Sequence, residues 1–208
     1  FVVTANPEIV MNANNDSSYL KIVNNADYTI ADGIGVILAS KVLGKPLPER
    51  IAGFDLMQDL LVTGNSNAWS VYLLGAKKEI LEQSVENIKK QHPNINIVGW
   101  NDGYFDWNDS KIKSEIANKR PDLIFVALGF PKQEMWIAQN FHCFDKGLFM
   151  GVGGSFDVIA GHVKRSPLLW QKMHLEWLYR LFQQPSRWKR MLVLPRFVVK
   201  VFLKKFKG

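Results

Sequence analysis

Along the first three-quarters of the chain, short unbroken apolar runs alternate with stretches in which apolar residues recur every third or fourth position. The runs predict strands over Phe1–Ala5, Tyr28–Ala31, Trp69–Gly75, Ile95–Trp100, Asp122–Leu128 and Leu148–Val152. Runs such as "LIFVAL" and "SVYLLG" lack polar alternation, as strands covered on both faces do. The periodic stretches predict helices over Pro7–Asn14, Ser17–Asn24, Ile34–Leu43, Asp55–Thr63, Lys78–Gln91, Ser110–Lys119 and Lys132–Asn140. Strands alternating with helices imply an α/β fold, a three-layer Rossmann-like domain with a largely parallel sheet.

After "GVGGSFDVIAG" the pattern changes. Ser166–Phe206 is rich in Trp, Leu, Phe, Arg and Lys, and Pro167, Pro185 and Pro195 cut it into short helices. The chain therefore divides into an α/β body, 1–163, and a basic helical C-terminal appendage, 164–208. In the last piece Phe197, Val198, Val201, Phe202 and Phe206 recur at roughly helical spacing, with Lys200, Lys204, Lys205 and Lys207 between them. That pattern suits a helix lying in a membrane interface, and equally a helix packed on the body with a solvated basic face.

Charge sharpens this division. The appendage holds twelve Lys and Arg against one acid, Glu176, for a net +11, which leaves the body at −4 of the chain's +7. A mildly acidic body with a strongly basic tail points to an anionic partner. At 208 residues the chain is long enough for a sizeable core, and 22% charged residues is ordinary for a globular protein. One cysteine, Cys143, excludes an internal disulfide, suits a reducing compartment and is expected to be a small packing residue. No apolar run reaches the roughly 18 residues of a membrane span. The chain begins inside a strand, at Phe1, and a preceding piece is expected to be missing.

Ligands of open parallel sheets bind beyond the carboxyl ends of the strands. Here those ends read "TANPE", "ADGIG", "LGAKKE", "NDGYF", "LGFPKQE" and "GVGGSFD". Asp32 in "ADGIG" is placed either to cap the following helix or to take a proton from a sugar hydroxyl. Asn6 in "TANPE" is a natural helix cap before Pro7, and Thr4 and Asn6 are alternatively placed to bind a sugar or phosphate. "GVGGSFD" is dense enough in glycine to bring backbone N–H groups to an anion, with Asp157 as a ribose or uracil ligand or merely a cap. Lys132, Gln133 and Glu134 stand at a helix start, where polar residues are commonly just solvated. Tyr104 suits stacking on a base or plain packing.

Several chemistries are excluded. The chain lacks G-x-x-x-x-G-K-[ST], H-E-x-x-H, paired C-x-x-C, G-x-S-x-G and D-x-D motifs. Phe156 stands where the dinucleotide fingerprint needs its third glycine. The four histidines, His92, His142, His162 and His174, have no metal-ligand spacing, so neither a protein-held metal nor another cofactor is expected. A donor diphosphate would then be neutralised by Arg, Lys and helix dipoles. A non-catalytic membrane- or polyanion-binding module would use the same basic tail but leaves six polar strand ends unexplained.

Seven blocks occur in order: "VTANPEIV", "ADGIGV", "RIAGFDL", "LLGAKKE", "GFPKQEMW", "GVGGSFDVIAG" and "KRSPLLWQKMHLEWLYRL". Together they resemble the WecG/TagA/CpsF glycosyltransferase family, from Phe1 to the C-terminus. The resemblance implies a metal-independent inverting transfer of N-acetylmannosamine from UDP-N-acetylmannosamine to GlcNAc-diphospho-undecaprenol. That reaction forms a β-1,4 bond in the wall teichoic acid linkage unit. Other family branches use another UDP-sugar, such as UDP-N-acetylmannosaminuronic acid, for surface polysaccharides. The resemblance places the catalytic base at Asp32 and sugar contacts at Thr4, Asn6, Arg50 and Gln133. It places UDP contacts at Tyr104, Gly153, Gly154 and Asp157, and diphosphate or acceptor contacts at Arg180, Arg187 and Arg190. It further implies a β–α stretch ahead of Phe1, a peripheral location on the cytoplasmic face of the bacterial plasma membrane, and homo-oligomers formed through the body. The implied partners are the UDP-sugar, the polyprenyl-diphosphate acceptor and an anionic membrane surface, with no nucleic acid.

Overall fold

A computed structural model describes residues 1–207, apart from the Lys207 side chain; Gly208, the last residue of the expected appendage, lies outside it. Six strands form one sheet: β1 (Val2–Ala5), β2 (Tyr28–Ala31), β3 (Ser70–Gly75), β4 (Asn96–Asn101), β5 (Leu123–Ala127) and β6 (Leu148–Gly151). Their order is β2-β1-β6-β5-β3-β4 and every pairing is parallel. All six carboxyl ends therefore open on one edge, as the polar strand ends require.

The body's helices are α1 (Pro7–Asn15), α2 (Ser17–Asn24), α3 (Ile34–Val42), α4 (Gly53–Ser66), α5 (Lys78–Gln91), α6 (Ser110–Lys119), α7 (Lys132–Asn140) and α8 (Ser155–Ile159). Because side chains alternate across a strand, β3 sends Tyr72 and Leu74 to one face and Val71 and Leu73 to the other. The first pair packs with Tyr19 of α2, Ile116 of α6 and Trp136 of α7; the second packs with Met57 and Leu61 of α4 and Leu81 and Ile88 of α5. Helices thus cover both faces, giving the three layers. α4 begins two residues before its expected start, since the N–H of Gly53, its first residue, donates to the Asp32 side chain.

The appendage folds as α9 (Leu168–Lys172), α10 (Glu176–Gln183), α11 (Trp188–Met191) and α12 (Val193–Lys207). Phe197 and Val201 of α12 are buried against Met11 of α1, beside Ala39 and Val42 of α3. Those two residues therefore face the body. Val198, Phe202 and Phe206 of the same helix point outward, exposed by 50%, 49% and 83%. α12 thus packs on the body, as the second alternative has it, and leaves another apolar stripe exposed. No helix among the described residues is long and apolar enough to cross a membrane. Cys143, expected to pack, is exposed instead.

Candidate active site at the β1–β2 edge

A cavity of about 410 Å³ opens at the carboxyl ends of β1, β2 and β6 and is closed over by the appendage. Its wall includes Thr4, Asn6, Asp32, Arg50 and Gly154 from the body, and Glu176, Arg180 and Arg187 from the appendage.

Asp32 follows β2. It does not cap α3, whose cap position is Gly33 with no side-chain bond. Its Oδ1 instead accepts the N–H of Gly53 at 3.1 Å, so it holds the start of a different helix and leaves Oδ2 free of protein partners among the described residues. The side chain keeps 31% of its surface open to the cavity. Burial raises its pKa above the ordinary carboxylate value, while the Gly53 N–H and the Arg50 guanidinium oppose the shift. A carboxylate with a raised pKa, facing a cavity, is suited to taking a proton.

Arg50 ties this carboxylate to the appendage. Its Nε donates to the Asp32 carbonyl at 2.5 Å, one Nη lies 3.9 Å from Asp32 Oδ1, and the other donates to Glu176 at 2.7 Å. Glu176 was not singled out in the sequence, although being the appendage's lone acid was a signal that it has a specific cation to meet. Asn6 caps α1 by accepting the Ile9 N–H at 3.1 Å, and it also lines the cavity. Thr4 is buried, its hydroxyl 3.5 Å from the Gly151 carbonyl.

The appendage supplies positive charge. Arg180 donates to the Gly154 carbonyl at 3.1 Å, and its buried Nε has no partner among the described residues. A Cβ on Gly154 would run into that guanidinium, which would have to shift from its place against the Gly154 carbonyl. Burial lowers the pKa of Arg180 despite the Asp157 and Asp32 charges. Arg187 is pushed down to about 10 by burial and by Arg180 and Arg190. Like charges gathered in a partly buried wall are costly unless an anion joins them.

A second group lies behind the glycine loop. Gln133 and Glu134, at the start of α7, are buried rather than solvated, at 4% and 1% exposure. Gln133 donates to Glu134 at 2.7 Å and accepts the Gly153 N–H at 3.0 Å. Burial raises the Glu134 carboxyl to about 7. The pair therefore braces the Gly153 backbone, which takes a φ of +51° suited to glycine.

The family model for the glycosyl transferase WecG/TagA/CpsF family matches residues 1–208. The chain belongs to that family. Similar proteins include one from Bacillus spizizenii (strain ATCC 23059 / NRRL B-14472 / W23), 43% identical over 97% of this chain and 78% of its own length. One from Bacillus subtilis (strain 168) is 40% identical over 96% of this chain and 78% of its own. One from Staphylococcus aureus (strain MW2) is 41% identical over 97% and 79%. Each of the three is named N-acetylglucosaminyldiphosphoundecaprenol N-acetyl-beta-D-mannosaminyltransferase.

Seven of the twelve positions expected from the resemblance to the WecG/TagA/CpsF family line the one cavity: Thr4, Asn6, Asp32, Arg50, Gly154, Arg180 and Arg187. Gly153 stands beside it with its N–H turned to Gln133, and Gln133 supports the loop from behind. Asp157 is near Arg180 but off the cavity wall. Arg190 binds Glu8 through two bonds of 2.8 Å and lines a neighbouring groove. Tyr104 is 76% exposed on the loop after β4, at the opposite edge of the sheet from β2. The structure does not bring it to the cavity.

Proposed function

We propose that this glycosyltransferase moves N-acetylmannosamine from UDP-N-acetylmannosamine to O4 of the GlcNAc in GlcNAc-diphospho-undecaprenol, with inversion. The observation that carries the reaction type is the gathering of Asp32, Arg180 and Arg187 in the wall of one cavity. The names of the relatives carry the sugars.

In the displacement, the acceptor O4–H gives its proton to the Asp32 carboxylate as O4 bonds to the anomeric carbon. The bond from that carbon to the UDP oxygen breaks on the opposite face, so configuration inverts. Negative charge grows on the leaving diphosphate, and Arg180 and Arg187 stabilise it there. Because two guanidiniums supply the compensating charge, the reaction is expected to proceed in EDTA. Asn6 and Thr4 are positioned to hold the donor sugar, and the Gly153–Gly154 backbone lies beside its phosphates.

A lipid-linked acceptor fits a peripheral enzyme at the cytoplasmic membrane face. The exposed stripe Val198, Phe202 and Phe206, flanked by Lys204 and Lys205, supplies an apolar face beside cations for that contact. The deciding experiment is transfer of radiolabel from UDP-ManNAc, UDP-GlcNAc and UDP-ManNAcA to a GlcNAc-diphospho-lipid. Transfer from UDP-ManNAc alone is the expected result; transfer only from another donor would reassign the sugar, and none from any would remove the activity.

A further inference from the structure

A larger groove adjoins the catalytic cavity. It measures about 780 Å³ and runs between α1, the loop after β5 and the α11–α12 segment. Cavities that hold medium-sized organic ligands span about 300–1,000 Å³, so this one is of binding size. Glu8 and Val193 line both spaces, which makes the groove an extension of the catalytic cavity, not a separate surface feature.

The chemistry of its wall is mixed in an ordered way. Phe130, Leu192, Pro195 and Val199 give it an apolar lining. Leu192 and Val199 are 46% and 57% exposed, so their apolar surface faces solvent with nothing packed on it. Two of its cations are already occupied, Arg190 by Glu8 and Lys200 by Asn15. Lys189 and Arg196 make no ion pair among the described residues. An anionic headgroup alone would leave the apolar lining uncovered, and an apolar chain alone would leave these two cations without a partner. A molecule with a phosphate at one end and a hydrocarbon chain at the other satisfies both.

We infer that this groove is the subsite for the isoprenoid-diphosphate end of the acceptor, its apolar wall taking the chain and Lys189 and Arg196 the phosphate charge. The inference rests on the acceptor named above. It assigns the groove to the acceptor's own lipid and not to acyl chains of the bilayer, because the groove is continuous with the catalytic cavity. Val199 and Leu192 then act as acceptor-specificity residues. They touch no reacting atom.

The test uses the full chain in detergent micelles, where no bilayer exists. Two acceptors carry the same GlcNAc-diphosphate, one on a long isoprenoid and one on a short alkyl chain. Leu192→Asp and Val199→Asp are expected to raise KM for the isoprenoid acceptor about tenfold or more. KM for the short-alkyl acceptor and for the donor, and the melting temperature, are expected to stay unchanged. Equal loss on both acceptors, or a loss seen only with vesicles and absent in micelles, would overturn the assignment. A calorimetric arm is independent of transfer: farnesyl diphosphate should bind wild type more tightly than inorganic pyrophosphate, and Val199→Asp should erase the difference. If that preference holds while no sugar is transferred, the proposed reaction fails and the groove stands. Transfer without the preference sinks the groove and leaves the reaction.

Discussion

The body and the appendage are built on opposite principles. In the body, both faces of the sheet are covered, and Tyr72, Phe125 and Phe149 are fully buried. In the appendage, among the described residues, only Ser166, Phe197 and Val201 are buried, at 5–8% exposure, while Leu168, Leu169 and Phe182 stand 65–72% exposed. Apolar burial at roughly 25 cal/mol per Å² therefore stabilises the sheet far more than the tail. Beside the small apolar seam of Phe197 and Val201 on Met11, the tail is joined to the body by polar contacts: Arg50 with Glu176, Arg165 with Asp55, Arg190 with Glu8 and Arg180 with Gly154. Where such a pair is exposed, as Arg165–Asp55 is, it is worth about 0–1 kcal/mol, so the tail half of the site rests on less apolar burial than the sheet half. The difference teaches where the proposed catalysis can be altered without touching the fold.

The sharpest break is at the carboxylate. Asp32→Asn is expected to lower kcat by roughly 2–4 orders of magnitude with the melting temperature nearly unchanged, because it would remove the proposed proton acceptor and little packing. Near-normal turnover in a folded variant would dismiss Asp32 from that role. From the tail side, Arg180→Ala should cost about 10²–10³ in kcat, the scale of losing one preorganised charge at a leaving group. If the loss falls on KM for the acceptor alone, Arg180 serves binding and not the leaving diphosphate.

A third prediction separates stability from catalysis. Glu134 titrates at about 7 in the fold against 4.5 as a free side chain. The folded state therefore holds the proton more tightly, a contribution complete below about pH 4.5 and lost as pH rises through about 7, amounting to about 3 kcal/mol. Glu134→Gln should remove that slope and be more stable than wild type above pH 7, as urea unfolding at pH 5 and pH 8 would show. An unchanged slope would mean that Glu134 is ionised throughout.

Two smaller effects probe the seam. Lys204→Gln with Lys205→Gln should weaken binding to anionic vesicles by about 1 kcal/mol per charge and leave the melting temperature alone. Undiminished vesicle binding would locate the membrane contact elsewhere. Arg50 lowers the Asp32 pKa, so Arg50→Gln should move the acid limb of kcat/KM to higher pH. A limb that stays in place would show that Arg50 does not set the proton affinity of Asp32.

The sequence by itself determined the α/β alternation, all six strands to within a residue or so, the polar strand ends and the charge asymmetry of the tail. These are local: apolar runs, turn residues and caps such as Asn6 act on their own neighbours in the chain. It did not determine which strand ends meet. Sheet order put β1 between β2 and β6 and sent β4 to the far edge, which brought Asp32 and Gly154 into one cavity and kept Tyr104 out of it. Only the fold turned Gln133 and Glu134 inward, gave Asp32 the Gly53 N–H instead of its own helix, and set Glu176 against Arg50. Those partners lie from 20 to 126 residues apart, as the Gln133–Gly153 and Arg50–Glu176 pairs do. At such separations periodicity carries no information, and the cost of burying a polar group decides who must meet whom.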